Sequence, residues 1–178
     1  MPPRRRFLGL AGAGLLALSA AGCFQPMYAE TRPGEGPSLQ DSLSQVEVVF
    51  SDGRVGNEVR NDLIFALTGG AGNPAGAPYT LLLKVKSTTS EASVVSPLTG
   101  LPEVEIVSVD VEWQLFEAGA KTPQKTGRAT GRASLDSGYQ RFARARAIRD
   151  AENRAASVTA ETIKSQLASY FLTHAPKS

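Results

Sequence analysis

The chain has 178 residues, 42% of them hydrophobic, with 19 basic residues against 17 acidic ones. That length suits one domain around a single core, and the near balance of charge gives no reason to expect a nucleic-acid partner. A single cysteine excludes an internal disulfide, so stability has to come from packing.

Residues 1–22 have the three-part layout of an export signal. Arg4-Arg5-Arg6 precedes an apolar run from Phe7 to Ala21, and Leu18-Ser19-Ala20-Ala21-Gly22 leads small residues into Cys23. The run is shorter than the roughly 20 apolar residues that cross a bilayer core, and Gly9, Gly12 and Gly14 interrupt it. A lone cysteine behind such a segment resembles the lipobox of bacterial lipoproteins, which makes Cys23 the expected lipid-attachment residue and first mature residue. One buried acyl chain binds reversibly and several hold a protein in place, each methylene contributing roughly 0.8 kcal/mol; lipoproteins resemble the several-chain case, with palmitate-class chains. Phe24 follows the cysteine where an aspartate would retain an enterobacterial lipoprotein at the inner membrane, so the resemblance implies the outer membrane. Arg4-Arg5-Arg6-Phe7-Leu8 fits either a twin-arginine export motif or an ordinary basic start, and the two stay open. Without residues 1–22 the chain carries 16 basic against 17 acidic residues, a net charge of −1.

Residues 23–44 read as the anchor and a polar linker, with Phe24-Gln25-Pro26-Met27-Tyr28 as an apolar hook. Residues 45–178 read as one domain. Val46 to Phe50 is β-branched and apolar, a first strand stopped by Ser51-Asp52-Gly53. Val55, Val59, Leu63, Ala66 and Leu67 recur at helical spacing, with Ser51 or Asp52 as the cap and Gly69-Gly70 as the stop. Tyr79 to Lys86 is a second strand, with Leu81, Leu83 and Val85 on one side and Lys84 and Lys86 on the other. After a loop around Ser96 to Gly100, Val107, Val109, Val111, Trp113 and Leu115 alternate with Ser108, Asp110, Glu112 and Gln114, the pattern of a strand with one buried face. A turn-rich Glu117 to Lys125 leads to a strand with Ala129, Gly131, Ala133 and Leu135 on one side and Arg128, Thr130, Arg132 and Ser134 on the other. Small residues along a core face predict a helix lying directly across it. That helix is predicted from Phe142 to Leu172, with Ile148, Ala151, Ala155, Val158, Leu167 and Tyr170 as its apolar stripe and Asp150 and Arg154 as an exposed i,i+4 pair. The stripe is too rich in alanine for a coiled-coil seam and reads as the domain's own core face.

Strand, helix, three strands and helix in that order predict an α+β fold. It is a two-layer sandwich in which a roughly four-stranded mixed sheet carries two helices on one face. Catalytic chemistry is sparse. His174 lies four residues from the end, the one thiol belongs to the anchor, and no zinc-protease or nucleophile-elbow motif occurs. Gly69-Gly70-Ala71-Gly72 follows a helix and lacks the lysine of a phosphate loop. No enzyme activity, metal or cofactor is expected. The outward cations Lys84, Lys86, Arg128 and Arg132 are the candidate binding residues: their chemistry suits phosphate groups, while a solvated face or the guarding of an edge strand is the plainer reading of the residues alone.

Taken together, several segments resemble the LptE family of lipopolysaccharide-assembly lipoproteins in its alphaproteobacterial form. Cys23-Phe24-Gln25-Pro26-Met27-Tyr28 is similar to the family's cysteine-glycine-phenylalanine-x-proline-leucine-tyrosine opening, lacking the glycine and with methionine for leucine. Arg54-Val55-Gly56-Asn57-Glu58-Val59-Arg60-Asn61 resembles its first helix. Leu135-Asp136-Ser137-Gly138-Tyr139, Phe142-Ala143, Arg149-Asp150-Ala151-Glu152 and Leu167-Ala168-Ser169-Tyr170-Phe171 resemble its C-terminal third. The resemblance implies an outer-membrane lipoprotein seated on the periplasmic side within an LptD-like β-barrel, supporting lipopolysaccharide assembly, with basic residues meeting the lipid phosphates. Lys84, Lys86, Arg128 and Arg132 are assigned to that contact only by their alternation. An auxiliary lipoprotein of another envelope lipid-transport complex, or a lipid-anchored hydrolase, are the alternatives.

Overall fold

The computed structural model describes residues 38–91, 104–136 and 141–174. In chain order they form α1 (Leu39–Ser44), β1 (Val46–Val48), α2 (Gly53–Thr68), β2 (Tyr79–Glu91), β3 (Val104–Glu117), β4 (Lys125–Asp136) and α3 (Arg141–His174). The strands lie in the order β1-β2-β3-β4, the first pair parallel and the other two antiparallel. This is the α+β, mixed-sheet architecture expected, with one helix more.

The added helix, α1, falls in the segment read as linker. Its start carries a reciprocal cap: the Ser38 hydroxyl accepts from the Asp41 amide at 3.1 Å, and the Asp41 carboxylate accepts from the Ser38 amide at 3.0 Å. The Ser38 hydroxyl also donates to the Asp41 carboxylate at 2.7 Å, and this bond together with that from the Ser38 amide holds the Asp41 carboxyl below its usual range. Leu43 is its fully buried residue. Gln40 donates to the Leu67 carbonyl at 2.8 Å, fastening α1 to the end of α2. β1 is shorter than expected: the ladder continues one bond beyond Val48, from the Val49 amide to the Leu81 carbonyl, and the chain then turns off, leaving Phe50 exposed. Asp52 takes the N-cap position of α2 without a side-chain bond, while Ser51 is buried against the helix at Gly56. A Cβ at Gly56 would lie 2.7 Å from the Ser51 hydroxyl, so the glycine admits that contact. Gly69 ends α2 in the left-handed conformation (φ +65°), its amide bonded to the Phe65 carbonyl.

The core lies between the sheet and helices α2 and α3. Leu81 of β2, Val107 to Leu115 on alternate positions of β3, and Ala129 and Ala133 of β4 are buried against Val59, Leu63 and Leu67 of α2 and Ala151, Ala155, Ile163 and Leu167 of α3. Two close approaches set its geometry. At Gly131 an added Cβ would stand 2.0 Å from the Ala155 carbonyl and 2.4 Å from the Thr159 hydroxyl, so α3 rests on the backbone of β4 there. At Gly127 an added Cβ would fall 2.3 Å from the Trp113 ring, so the indole lies across that glycine. Its Nε1 donates to Gln166 at 2.8 Å, which keeps the buried indole N–H satisfied.

One buried charge interrupts the apolar face. Glu105, on the core side of β3, is 2% exposed and is held by both arms of Arg144 at 2.9 and 2.7 Å. The bidentate geometry offsets the desolvation of the carboxylate, and the carboxylate raises the guanidinium pKa further above its usual range.

The α3 stripe differs from expectation at one position. Val158 is 50% exposed, whereas Ala156, Thr159, Ala160 and Ile163 are buried. Facing both the sheet and α2 turns the seam of α3 toward α2. Val158 is left on the opposite flank, above the edge strand β4, with no further strand among the described residues to cover it.

Gly131→Ala should therefore destabilise the domain by about 3 kcal/mol, the upper part of the range for forcing atoms into a packed interior. Urea unfolding followed by circular dichroism measures it. An unchanged midpoint would mean that α3 does not rest on β4 as described.

Candidate functional site

Outside the core, one face of the sheet has no helix on it among the described residues. Because β2, β3 and β4 pair without a bulge, residues of one parity stand in straight rungs across that face. Lys84, Glu112 and Arg128 form one rung; Lys86, Asp110 and Thr130 the next; Thr88, Ser108 and Arg132 the third. Rungs are separated by about 7 Å, and β2 and β4 stand about 10 Å apart across β3. All four predicted cations are on this exposed face, within one patch. Cys23 lies outside the described residues.

The patch is not purely cationic. The Glu112 carboxylate sits between the first two cations, 2.8 Å from Arg128 and 4.0 Å from Lys84. Asp110 stands beside Lys86 in register and accepts a bond from the Thr130 hydroxyl at 2.6 Å. Side chains here are wide open to solvent, 86% for Lys84 and 83% for Arg128, so each pair is weakly held and screened by salt. An incoming phosphate competes only with loosely bound carboxylates. Arg132 has no ion-pair or hydrogen-bond partner among the described residues, and in this patch it is the arginine most available for bidentate anion contact.

The sequence had placed Asp110 and Glu112 on the polar face of β3, but alternation alone does not say which residue of a neighbouring strand each meets. That Glu112 comes between Lys84 and Arg128 follows from the pairing register of three strands. Along one side, Leu82 is 39% exposed, beside Gln114 in the rung next to Lys84, and Phe116 is half-buried one rung further. The charged rungs thus border an apolar strip. Among the described residues there is no cluster of three or more metal-ligating side chains, and no helix is long and apolar enough to cross a membrane.

No family profile matches the chain, and no curated protein matches it in sequence. Solved structures do. A candidate lipoprotein from Caulobacter crescentus is 27% identical and superposes with a TM-score of 0.62 over 75% of this chain and 96% of its own. A minor lipoprotein from Acinetobacter baumannii (10% identity, TM-score 0.55, 70% of this chain and 89% of its own) has the same fold. So does the rare lipoprotein B, LptE, from Shewanella oneidensis (15% identity, TM-score 0.52, 72% and 95%). The fold described above is thus LptE-like, shared with bacterial lipoproteins over most of their length and about three-quarters of this chain.

If the outer face takes anions, Glu112→Gln should tighten phosphate binding about two- to fivefold by releasing Arg128 and Lys84, the worth of an exposed ion pair. Lys84→Gln should weaken it by a similar factor. Titration with inorganic phosphate at low ionic strength reads both, and two flat responses would remove this face from consideration.

Proposed function

We propose that the protein is a lipid-anchored lipoprotein of the outer membrane, acylated at Cys23. In this reading it seats within an LptD-like β-barrel on the periplasmic side and supports the placement of lipopolysaccharide. The observation that carries it is the likeness to the Caulobacter crescentus candidate lipoprotein in both sequence and fold, over nearly all of that chain. The export signal and Cys23 of this chain supply the anchor. The rare lipoprotein B of Shewanella oneidensis supports the assembly role through the fold alone.

The molecule then acts by binding and seating rather than by catalysis. The open sheet face offers the lipid phosphates Lys84, Lys86, Arg128 and Arg132, with Leu82 and Phe116 alongside as apolar ground for an acyl chain. Glu112 and Asp110 keep the patch from holding anions tightly. That suits a protein that hands its ligand on rather than stores it.

Two measurements test the proposal. Cys23→Ala should move the protein from the membrane to the soluble fraction, and a pull-down from detergent-extracted membranes should recover a heat-modifiable β-barrel. Recovery of a transport ATPase complex in its place would favour an auxiliary lipoprotein of another lipid-transport system. Replacing Lys84, Lys86, Arg128 and Arg132 together by glutamine should lower lipopolysaccharide binding at least tenfold, and unchanged binding would sink the lipid-contact assignment.

A further inference from the structure

The two edges of the sheet are finished differently. On the β1 edge, Asn73 turns its side-chain amide to Val48, accepting from the backbone N–H at 2.9 Å and donating to the C=O at 3.1 Å. It closes that edge as a neighbouring strand would. On the β4 edge the direction of the backbone groups follows from the ladder. The Ala118 amide bonds the Pro78 carbonyl, so even-numbered residues of β3 bond β2 and odd-numbered ones bond β4. The even-numbered residues of β4 therefore turn their N–H and C=O groups outward.

Two of those outward carbonyls are taken by side chains of α3. Gln166 donates to the Arg128 carbonyl and Arg154 to the Ser134 carbonyl, both at 2.9 Å. Arg154, Val158, Thr162 and Gln166 are spaced by four, so they form one row along the helix. With its ends fixed over Ser134 and Arg128, the middle of the row, Val158 and Thr162, stands over the backbone of Thr130 and Arg132. Those two residues have no partner for their outward N–H and C=O groups among the described residues. Val158 itself is half exposed. A short open strand edge roofed by an uncovered apolar side chain is the geometry that accepts an added strand.

Charge selects the occupant. A residue pairing opposite Arg132 would share the outer face with its guanidinium, which has no partner there. A second copy of this chain would bring two arginines from each β4 to the same seam, at opposed or diagonal positions, which is unfavourable. We propose that Thr130–Arg132 is a strand-addition site for an extended segment of a different protein. The segment would carry an acidic residue opposite Arg132 and small apolar residues at the alternate positions, which turn toward Val158. The backbone bonds of this site are separate from the lipid-contact reading, which concerns the sheet face, and only the Arg132 side chain enters both.

The probe is a nine-residue peptide alternating valine with threonine and aspartate, titrated into the detergent-solubilised protein. Saturable binding should appear, with the Thr130 and Arg132 amides protected from hydrogen exchange. Val158→Lys and Arg132→Glu, both on exposed side chains, should each weaken it at least tenfold. Exchanging aspartate for lysine in the peptide should abolish binding to the native protein and restore it to the Arg132→Glu variant. Thr130→Pro removes one outward N–H at an edge that tolerates proline and should also prevent binding, with the circular dichroism spectrum checking that it folds. Binding that leaves those two amides unprotected, equal binding of the lysine peptide, no binding at all, or dimerisation of the protein through β4 would each overturn the proposal. Every one of these results leaves lipopolysaccharide binding by the sheet face as a separate measurement.

Discussion

The contact on which the other features depend is the approach of α3 to the backbone of β4 at Gly131. A helix normally packs on a sheet through interposed side chains. Here a stripe of Ala129, Gly131 and Ala133 meets Ala151, Ala155 and Thr159, and the helix backbone comes within reach of the strand itself. Thr159 shows how the polar groups are accommodated: its hydroxyl donates within reach of both the Ala155 carbonyl, at 2.8 Å, and the Val109 carbonyl, at 3.3 Å. No side chain is available to fill a wider gap, so the spacing is fixed by the small residues. Because α3 sits low over β4, its side chains can reach past the strand to the outward carbonyls of Arg128 and Ser134. The same low seat puts the Trp113 indole across Gly127 and in reach of Gln166.

Concentrating the packing on one side leaves the opposite side of the sheet to electrostatics. Exposed ion pairs contribute from nothing to about 1 kcal/mol each, so the pairs Glu112–Arg128 and Glu112–Lys84 do not hold the sheet together. They set what the face can recruit. A row of cations without carboxylates would attract anions of any kind and repel itself; a row divided by Glu112 and Asp110 keeps the net charge modest and the lysines and arginines exchangeable. The contrast with Glu105 is instructive. That carboxylate lies on the same strand but on the other parity, where it is buried and held in a bidentate pair by Arg144. Both classes of ion pair occur on β3, and the side of the sheet decides which one fixes structure and which one stays available.

The strands and their faces were legible because alternation is a one-dimensional signal. Val107 to Leu115 point inward, and Lys84, Lys86, Arg128 and Arg132 point outward, as their spacing required. The helix across β4 was also legible, since Gly131 between two alanines has few other uses in a buried strand. Three features were not. Helix α1 is too short to show an apolar period, and its one local signature, Ser38 with Asp41 three residues on, needs the bond pair to be recognised as a cap. Val158 was read as core because its spacing from Ala151 and Ala155 fits a stripe; the stripe has an edge, and where that edge falls depends on α2 standing on one flank of α3 and nothing standing on the other. The partners of Glu112 depend on strand register, which a single strand does not contain.

These misses have a common physical origin, and it locates function as well as error. Period and composition report on burial within one element, whereas Val158 and Glu112 take their environment from where a second element stops. Val158 lies uncovered because the sheet ends at β4; Glu112 faces two cations because β2 and β4 both extend alongside β3. Places where packing runs out are also where a folded chain has bonding capacity left for other molecules. Among the described residues there are two of them, one of charge on the sheet face and one of backbone hydrogen bonds on the β4 edge. They are perpendicular in direction, since side chains leave the sheet along its normal and ladder bonds leave it in its plane. A ligand on the face and a strand on the edge therefore use different atoms of this domain except at Arg132, whose guanidinium both would engage.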